Sequence, residues 1–67
     1  MIDNKLLTLI TLAETKNFTR AANELMMTQP AVSHHIQQLE EEFDTKLVIR
    51  KKNEVLLTEE GKVVVEY

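Results

Sequence analysis

The chain of 67 residues contains no cysteine, so it can form neither a disulfide framework nor a thiolate zinc site. Its three aromatic residues, Phe18, Phe43 and Tyr67, are too few to predict a surface that stacks the bases of single strands. No apolar run approaches membrane-spanning length, and the N-terminus lacks a basic start followed by an apolar core. We therefore expect one globular domain in the cytoplasm, with no signal peptide and no membrane partner.

The chain also lacks an excess of positive charge. Its formal net charge is −3, whereas most nucleic-acid-binding domains are basic. The charges are unevenly placed. Acids cluster at Glu40, Glu41, Glu42 and Asp44, whereas Lys46, Arg50, Lys51 and Lys52 form a basic segment without an acid. A local basic patch matters more for phosphate contacts than the total charge does. The alternative is that these basic residues only offset the acids beside them.

A first helix is predicted from apolar residues at helical spacing: Leu6, Ile10 and Ala13, with Leu7 and Leu9 widening the stripe. Asp3 is a suitable N-cap for it. The helix should end near Lys16 and Asn17, because asparagine tolerates the left-handed conformation that closes helices.

A second, short helix is predicted from Arg20 to Met26, capped by Asn17 or Thr19. Its apolar face comprises Ala21, Ala22, Leu25 and Met26. Paired alanines allow helices to approach closely, as a compact helix-turn-helix requires. Met26 and Met27 are interpreted as gap-filling core residues.

The third helix has the clearest signals. Thr28 is a suitable N-cap, and Pro30 falls in the first turn, where its missing N–H costs nothing. A buried stripe is predicted at Val32, Ile36, Leu39 and Phe43, with the helix ending at Phe43 and Asp44. His35 lies nearer this stripe and is interpreted as a packing residue.

Two short apolar runs follow, at residues 47–49 and 55–57, around a polar connection in which Asn53 suits a positive φ. They predict a β-hairpin. Thr58 can cap a fourth helix with Gly61 inside it, although residues 63–65, all valine, would suit a strand as well. The predicted fold is mostly α with a small β-hairpin: a winged helix-turn-helix with a three-helix core and a wing.

The outer face of the third helix is polar, with Pro30, Ser33, His34, Gln37, Gln38 and Glu41 pointing outward. Residues 29–38 include no Lys, Arg, Asp or Glu. A merely solvated helix face, the alternative interpretation, usually favours Lys and Glu pairs. An uncharged polar face is typical of a helix that enters the major groove of DNA, where Pro30 or Ala31 could touch a thymine methyl.

The side chains on this face match base edges. Ser33 can donate or accept, and Gln29 and Gln37 can each pair with adenine through two hydrogen bonds. His34 can donate to a guanine or a phosphate. In the wing, an arginine suits bidentate phosphate contact and lysines add mobile charges, so the predicted backbone contacts include Arg50, Lys51 and Lys52.

A metal or catalytic site is disfavoured. His34 and His35 are the only histidines, and adjacent residues of a helix point about 100° apart, which does not suit one shared ion. No glycine-rich elbow or oxyanion loop accompanies them. We expect no metal, no cofactor and no enzymatic activity.

Taken together, these motifs resemble the N-terminal DNA-binding domain of LysR-type bacterial transcriptional regulators. The resemblance covers almost the whole chain and is carried by Phe18-Thr19-Arg20-Ala21-Ala22, Leu25, Gln29-Pro30-Ala31-Val32-Ser33, Ile36, Leu39-Glu40, Leu47, Arg50 and Leu57-Thr58-Glu59-Glu60-Gly61. The chain departs from the family pattern at His34, where arginine is common, and at Val48, where phenylalanine is usual.

The resemblance implies that a helix of about residues 29–42 reads the major groove and that a wing of about residues 47–57 lies on the phosphate backbone. The resemblance implies that Gln29, Pro30, Ser33 and His34 meet the bases and that Arg50 meets the backbone. With the side-chain chemistry above, the predicted base contacts are Gln29, Pro30, Ser33, His34 and Gln37, and the predicted backbone contacts are Thr19, Arg20, Thr28, Arg50, Lys51 and Lys52. Residues 1–58 would form the DNA-binding domain, and residues 59–67 the start of a truncated linker helix that forms homodimers. The C-terminal domain that binds a small-molecule inducer would be absent.

The sequence therefore predicts sequence-specific binding of double-stranded DNA by a dimeric, cytoplasmic and nucleoid-associated regulator. Two other classes of function remain open. The first is a winged helix used as a protein-interaction module, which the net negative charge would suit. The second is a small enzyme or metal site at His34 and His35, which the spacing of the two histidines disfavours.

Overall fold

The computed structural model describes residues 4–52 and 54–66, which contain four helices and one antiparallel hairpin. The helices are α1 (Asn4–Thr15), α2 (Phe18–Leu25), α3 (Gln29–Phe43) and α4 (Glu59–Glu66), and the strands are β1 (Val48–Arg50) and β2 (Val55–Leu57). The mostly helical fold with a small hairpin is confirmed. The predicted cap at Asp3 and turn residue Asn53 lie outside the described residues.

The core lies between α1, α2 and α3, with the hairpin closing one side. Its buried apolar residues are Leu9, Leu12, Phe18, Ala21, Ala22, Val32, Ile36, Leu39, Leu47, Val48 and Val55. Both members of the alanine pair in α2 are buried, as expected for close helix packing. The three-helix core with an attached wing is therefore the architecture that the hydrophobic pattern predicted.

The buried face of α1 differs from the predicted stripe. Leu9 and Leu12 are fully buried with Thr8, and Thr11 is buried, whereas Leu7 is exposed and the predicted Ile10 and Ala13 are only half-buried. The prediction is confirmed for Leu9, and Leu6 packs partly against the core. It was wrong for Leu7, Ile10 and Ala13, because two threonines occupy core positions. The Thr8 hydroxyl donates to the carbonyl of Asn4 at 2.9 Å and lies 2.9 Å from Nδ1 of His35 on α3. Its polar group is thus satisfied inside the fold.

The junction between α1 and α2 is closed by Lys16 and Asn17. Lys16 takes the left-handed conformation, with φ 57°, that was expected of asparagine. Asn17 instead is the N-cap of α2, and its side chain accepts a hydrogen bond from the amide of Arg20 at 2.9 Å. Of the two predicted caps, Asn17 is correct and Thr19 is wrong, because α2 begins two positions earlier than predicted, at Phe18 instead of Arg20.

The turn between α2 and α3 contains the two methionines. Met26 ends α2 with φ 56° and is 93% exposed, so its assignment to the core was wrong. The left-handed turn directs its side chain to solvent. Met27 is partly buried against the core, as predicted.

Helix α3 begins and ends where the sequence predicted. The side chain of Thr28 accepts from the amide of Ala31 at 3.2 Å, and Asp44 closes the helix with φ 53°. Val32, Ile36 and Leu39 are buried. Phe43 is 50% exposed, which contradicts its predicted burial, because the helix runs past the edge of the core before it ends.

The wing pairs Val48 with Leu57, and Arg50 with Val55. Its turn is closed by a hydrogen bond from the amide of Lys51 to the carbonyl of Glu54 at 2.8 Å. The amide of Val55 donates to the carbonyl of Lys16 at 2.9 Å, which fastens β2 to the α1–α2 junction.

Helix α4 starts at the base of the wing. The Thr58 hydroxyl accepts from the amide of Gly61 at 2.9 Å, which confirms Thr58 as the cap. Residues 63–65 are helical, so the alternative of a strand was wrong. Gly61 is buried because α4 passes very close to the chain at Leu47.

Candidate nucleic-acid interface

The outer face of α3 carries the predicted base readers. Gln29, Pro30, His34 and Gln37 are exposed, and Ser33 is half-buried. They follow one another along the helix on its solvent side. The structure therefore brings the predicted readers to one accessible face without a formal charge among them.

The wing meets this face at Arg50, the last residue of β1. Its Nη2 donates a hydrogen bond to Oγ of Ser33 at 3.0 Å. The guanidinium carbon also lies 4.4 Å from the ring centroid of Phe18, the first residue of α2, which is a cation–π contact. One arginine therefore connects the wing, α3 and α2.

Phe18 was missed as a site residue by sequence reasoning, which identified it only within a family motif. Nothing in the local pattern distinguishes it from an ordinary core residue, and its side chain is indeed 9% exposed. Its contact with Arg50 arises only when the hairpin folds back over the start of α2. Tertiary structure was needed to find it.

A shallow depression of about 270 Å³ lies where these elements meet. It is lined by Phe18, Gln29, Pro30, Ser33 and Arg50. Three of the predicted base readers and one predicted backbone residue thus share one concave surface. The depression offers an apolar wall beside hydrogen-bonding groups, which is a suitable surface for the edge of a base or a sugar–phosphate unit.

A second depression, of about 230 Å³, connects the start of α2 with the wing. Its lining includes Thr19, Gln29, Lys51 and Lys52. Nε2 of Gln29 and Oγ1 of Thr19 are 3.5 Å apart, a long hydrogen bond between α3 and α2. The predicted backbone residues at the wing are therefore close to those on α2.

Arg20 and Thr28, the other predicted backbone residues, are both exposed. The Thr28 oxygen accepts from the amide of Ala31, and its hydroxyl hydrogen remains available to a phosphate oxygen, which can only accept. Arg20 presents its guanidinium to solvent from α2.

The basic segment divides into one residue that offsets an acid and three that do not. Nζ of Lys46 is 3.8 Å from Oε1 of Glu40. In the described part of the chain, Arg50, Lys51 and Lys52 form no ion pair with an acid. The alternative interpretation of the basic patch therefore holds for Lys46. Arg50, Lys51 and Lys52 remain available to a phosphate, although Glu54 lines the same depression as the two lysines.

Glu40 has a structural role that the charge pattern did not reveal. Its Oε2 accepts from the amides of Leu47 and Val48, at 2.9 and 3.4 Å, and its side chain is 14% exposed. The sequence placed it in a solvated acidic cluster. The carboxylate in fact fixes the entry to the wing, and it turns one negative charge inward.

The described residues hold no group of three or more His, Cys, Asp or Glu side chains arranged for a metal ion. His34 is exposed to solvent, whereas His35 contacts Thr8 of α1, so the two side chains lie in different environments. Within the same residues, no helix combines the length and hydrophobicity required to cross a bilayer.

Comparison with known proteins agrees with this geometry. Residues 4–62 match the model of a family described as bacterial regulatory helix-turn-helix protein, lysR family. The HTH-type transcriptional regulator YxjO of Bacillus subtilis (strain 168) is 44% identical over 60 residues, an alignment that covers 90% of this chain and 21% of that protein. The chain thus spans about a fifth of the length of that regulator.

Solved structures share the fold. A transcriptional regulator of the LysR family from Eggerthella lenta DSM 2243 superposes with a TM-score of 0.88 at 39% identity, covering 98% of this chain and 94% of that chain. The BenM DNA-binding domain, crystallised with catB site 1 DNA, superposes with a TM-score of 0.91 at 36% identity, covering 100% of this chain and 74% of that chain.

These relatives are transcriptional regulators, which separates the chain from the enzyme classes considered above. The match extends from α1 through the wing into α4. The chain belongs to the lysR family of bacterial regulatory helix-turn-helix proteins and corresponds to their DNA-binding domain.

Proposed function

We propose that the chain binds double-stranded DNA sequence-specifically, with α3 in the major groove and the wing on the phosphate backbone. The observation that carries this proposal is the uncharged outer face of α3, which lies directly beside Arg50 of the wing. A helix face of this kind can approach base edges, and the adjoining cation can neutralise a phosphate. The similar BenM DNA-binding domain forms a complex with catB site 1 DNA, which supports duplex DNA as the ligand of this chain.

The base readers in this proposal are Gln29, Pro30, Ser33, His34 and Gln37. The backbone contacts come from Thr19, Arg20, Thr28, Arg50, Lys51 and Lys52. Two adjoining depressions support the accessibility of seven of these residues, because they are lined by Thr19, Gln29, Pro30, Ser33, Arg50, Lys51 and Lys52. The other four, Arg20, Thr28, His34 and Gln37, are exposed. Phosphate contacts would set the register of α3 on the duplex, and the readers would select the sequence.

At the level of the whole regulator, we propose a homodimer that pairs through the helix beginning at residue 59. A C-terminal domain that binds a small-molecule inducer would follow the DNA-binding domain of residues 1–58. The related regulator YxjO is several times longer than the segment matched here, which leaves room in that protein for a further domain. The regulator would work in the cytoplasm, associated with the nucleoid.

Selection from a pool of random duplexes tests the DNA proposal. The chain is expected to enrich a defined sequence, and a dimer would enrich an inverted repeat. Affinity for the selected duplex should fall steeply as salt is raised, because phosphate neutralisation releases counterions. If the chain is a protein-interaction module instead, the selection should enrich no sequence. Failure of the chain to bind duplex DNA even at low salt would contradict the proposal.

A further inference from the structure

Three elements converge on the guanidinium of Arg50. Cζ of Arg50 lies over the ring of Phe18, at the start of α2, 4.4 Å from the ring centroid, and Ser33 of α3 accepts a hydrogen bond from Nη2 at 3.0 Å. Arg50 itself belongs to the wing. An exposed arginine with this many rotatable bonds would otherwise sample many positions. Here two contacts define where the cation lies.

We propose that Phe18 is a positioning residue for DNA recognition, whose ring holds Arg50 against Ser33 so that wing and α3 present one fixed group of hydrogen-bond donors. This inference rests on the proposed function and deepens it, because it assigns the chemistry of the DNA atom that this group meets. Phe18 acts only through Arg50.

The contact with Phe18 leaves the hydrogen-bonding capacity of Arg50 intact. A guanidinium stacks through its flat face, whereas its N–H donors all lie in the plane. The hydrogen bond to Ser33 uses one of these donors. The remaining N–H groups stay available to an incoming acceptor, and their direction is set by the ring beneath.

The same contact defines the role of Ser33. Arginine has no acceptor atom, so the Ser33 oxygen must accept in the hydrogen bond with Arg50. This uses one of the two acceptor lone pairs of the hydroxyl and leaves its hydrogen free to be donated. Because a cation lies beside it, we expect Ser33 to act mainly as a donor toward DNA.

Two adjacent donors select a hydrogen-bond acceptor on the DNA. Guanine offers O6 and N7 in the major groove, adenine N7 and thymine O4, and the backbone offers phosphate oxygens. Arg50 has no acceptor atom, so the amino groups of cytosine and adenine are excluded as its partners. Ser33 should therefore discriminate at its base pair, while Arg50, which contacts the backbone and donates to the same hydroxyl, orients it, so that the loss of either side chain should reduce that discrimination.

The test uses the duplex selected by the unmodified chain and a panel in which each base pair is changed in turn. Ser33→Ala identifies the base pair at which discrimination is lost. Phe18→Leu is expected to reduce discrimination at that same base pair by about two- to five-fold, the size of an exposed cation–π contact, and to leave the other positions unchanged. Phe43→Leu is the matched control, because Phe43 lies at the far end of α3 and should not alter discrimination.

Arg50→Lys separates positioning from charge. It keeps the positive charge but loses the planar guanidinium, so it should reduce discrimination at the base pair assigned to Ser33. In a Ser33→Ala background the same substitution should have no further effect on discrimination. If Ser33→Ala changes discrimination at no base pair, the acceptor should be a phosphate. Replacing single phosphates by methylphosphonates should then identify the one whose neutral replacement weakens binding, and Phe18→Leu should reduce the affinity lost at that phosphate.

A ring-current measurement covers the case in which Phe18→Leu does not fold. In the unmodified chain, NMR should find the side-chain protons of Arg50 upfield of those of Arg20, the other arginine, because Arg50 lies over an aromatic ring. Equal shifts would overturn the inference. So would a folded Phe18→Leu variant that weakens every duplex equally while Ser33→Ala remains selective. Failure of the unmodified chain to bind any duplex would instead overturn the proposed function itself.

Discussion

At the scale of the residue, three side chains sit on backbone that usually favours glycine. Lys16, Met26 and Asp44 have φ of 57°, 56° and 53°, and each lies directly after a helix or at its cap. The left-handed conformation costs a residue with a Cβ about 1–2 kcal/mol. The chain tolerates this strain because the turns that it creates set α1, α2 and α3 against one another.

Met26→Gly is expected to raise the free energy of unfolding by about 1 kcal/mol, because glycine adopts the left-handed conformation without a Cβ clash. Little packing is lost, since Met26 is 93% exposed. Chemical denaturation measures the change. Met26→Ala, which keeps the Cβ, is the control and should bring no such gain; equal stabilisation by both variants would show that the backbone strain is not the cause.

Glu40 is the acidic residue with the largest expected effect on stability. Glu40→Ala should lower the free energy of unfolding by about 1.5–3 kcal/mol, because the amides of Leu47 and Val48 lose a charged acceptor. Urea denaturation provides the measurement. Glu41→Ala, at the exposed neighbouring position, should change stability by less than about 0.5 kcal/mol. A similar loss in both variants would mean that the carboxylate of Glu40 does not hold the wing.

At the scale of the element, α4 depends on its approach to the chain at the entry to β1. A Cβ added to Gly61 would lie 2.2 Å from the carbonyl oxygen of Leu47, which is far inside van der Waals contact. That carbonyl also accepts from the amide of Thr58 at 3.0 Å. The start of α4 and the start of the wing are thus locked together through backbone atoms.

Gly61→Ala should therefore lower the free energy of unfolding by about 1–3 kcal/mol through overpacking. Helix propensity alone predicts the opposite sign, a gain of about 1 kcal/mol, so the direction of the change is decisive. Thermal unfolding followed by circular dichroism suits this measurement. Lys62→Ala is the exposed neighbouring control and should stay within about 0.5 kcal/mol of the unmodified chain.

Helix α3 was the element most accessible to sequence reasoning. Thr28 and Pro30 define its start chemically, and its uncharged outer face is a property of local composition. The errors at Met26 and Phe43 have a common cause. Both residues continue an apolar pattern, which predicts burial. The pattern cannot show that the turn at Met26 points away from the core or that α3 extends beyond the core at Phe43.

The candidate site was predictable from the sequence only for residues that lie within one element. The donors and acceptors of α3 were evident because they occupy one segment of the chain. The contact of Arg50 with Phe18, and that of Glu40 with the entry to the wing, join residues from different elements. Such contacts follow from tertiary packing and leave no periodic signal in the sequence.

At the scale of the whole molecule, binding of a polyanion must proceed against a net charge of −3. The distribution of charge reduces this penalty. Glu40 turns inward, whereas Arg50, Lys51 and Lys52 lie at the side of α3 that carries the uncharged readers. Local potential, more than total charge, governs association with a charged partner.

Lys51→Ala is expected to weaken binding to all duplexes about equally and to reduce the slope of log affinity against log salt by about one. The reason is the loss of one phosphate contact that carries no sequence information. Titrations of the selected and a random duplex at several salt concentrations measure it. Lys62→Ala on α4, whose lysine is 3.9 Å from Glu59, should leave the slope unchanged. A loss confined to the selected duplex would remove Lys51 from the backbone contacts.

The attachment of β2 to Lys16 has a consequence for how this fold can vary. The bond from the amide of Val55 anchors the base of the hairpin, whereas the bond from the amide of Lys51 to the carbonyl of Glu54 closes its tip. An insertion within either strand would shift the register and reverse the faces of the side chains. Lengthening the tip would leave the anchored base intact, at a closure cost that rises by only about 0.6 kcal/mol for each doubling of loop length. The reach of the wing can therefore diverge among relatives, or be redesigned, while the rest of the domain stays the same.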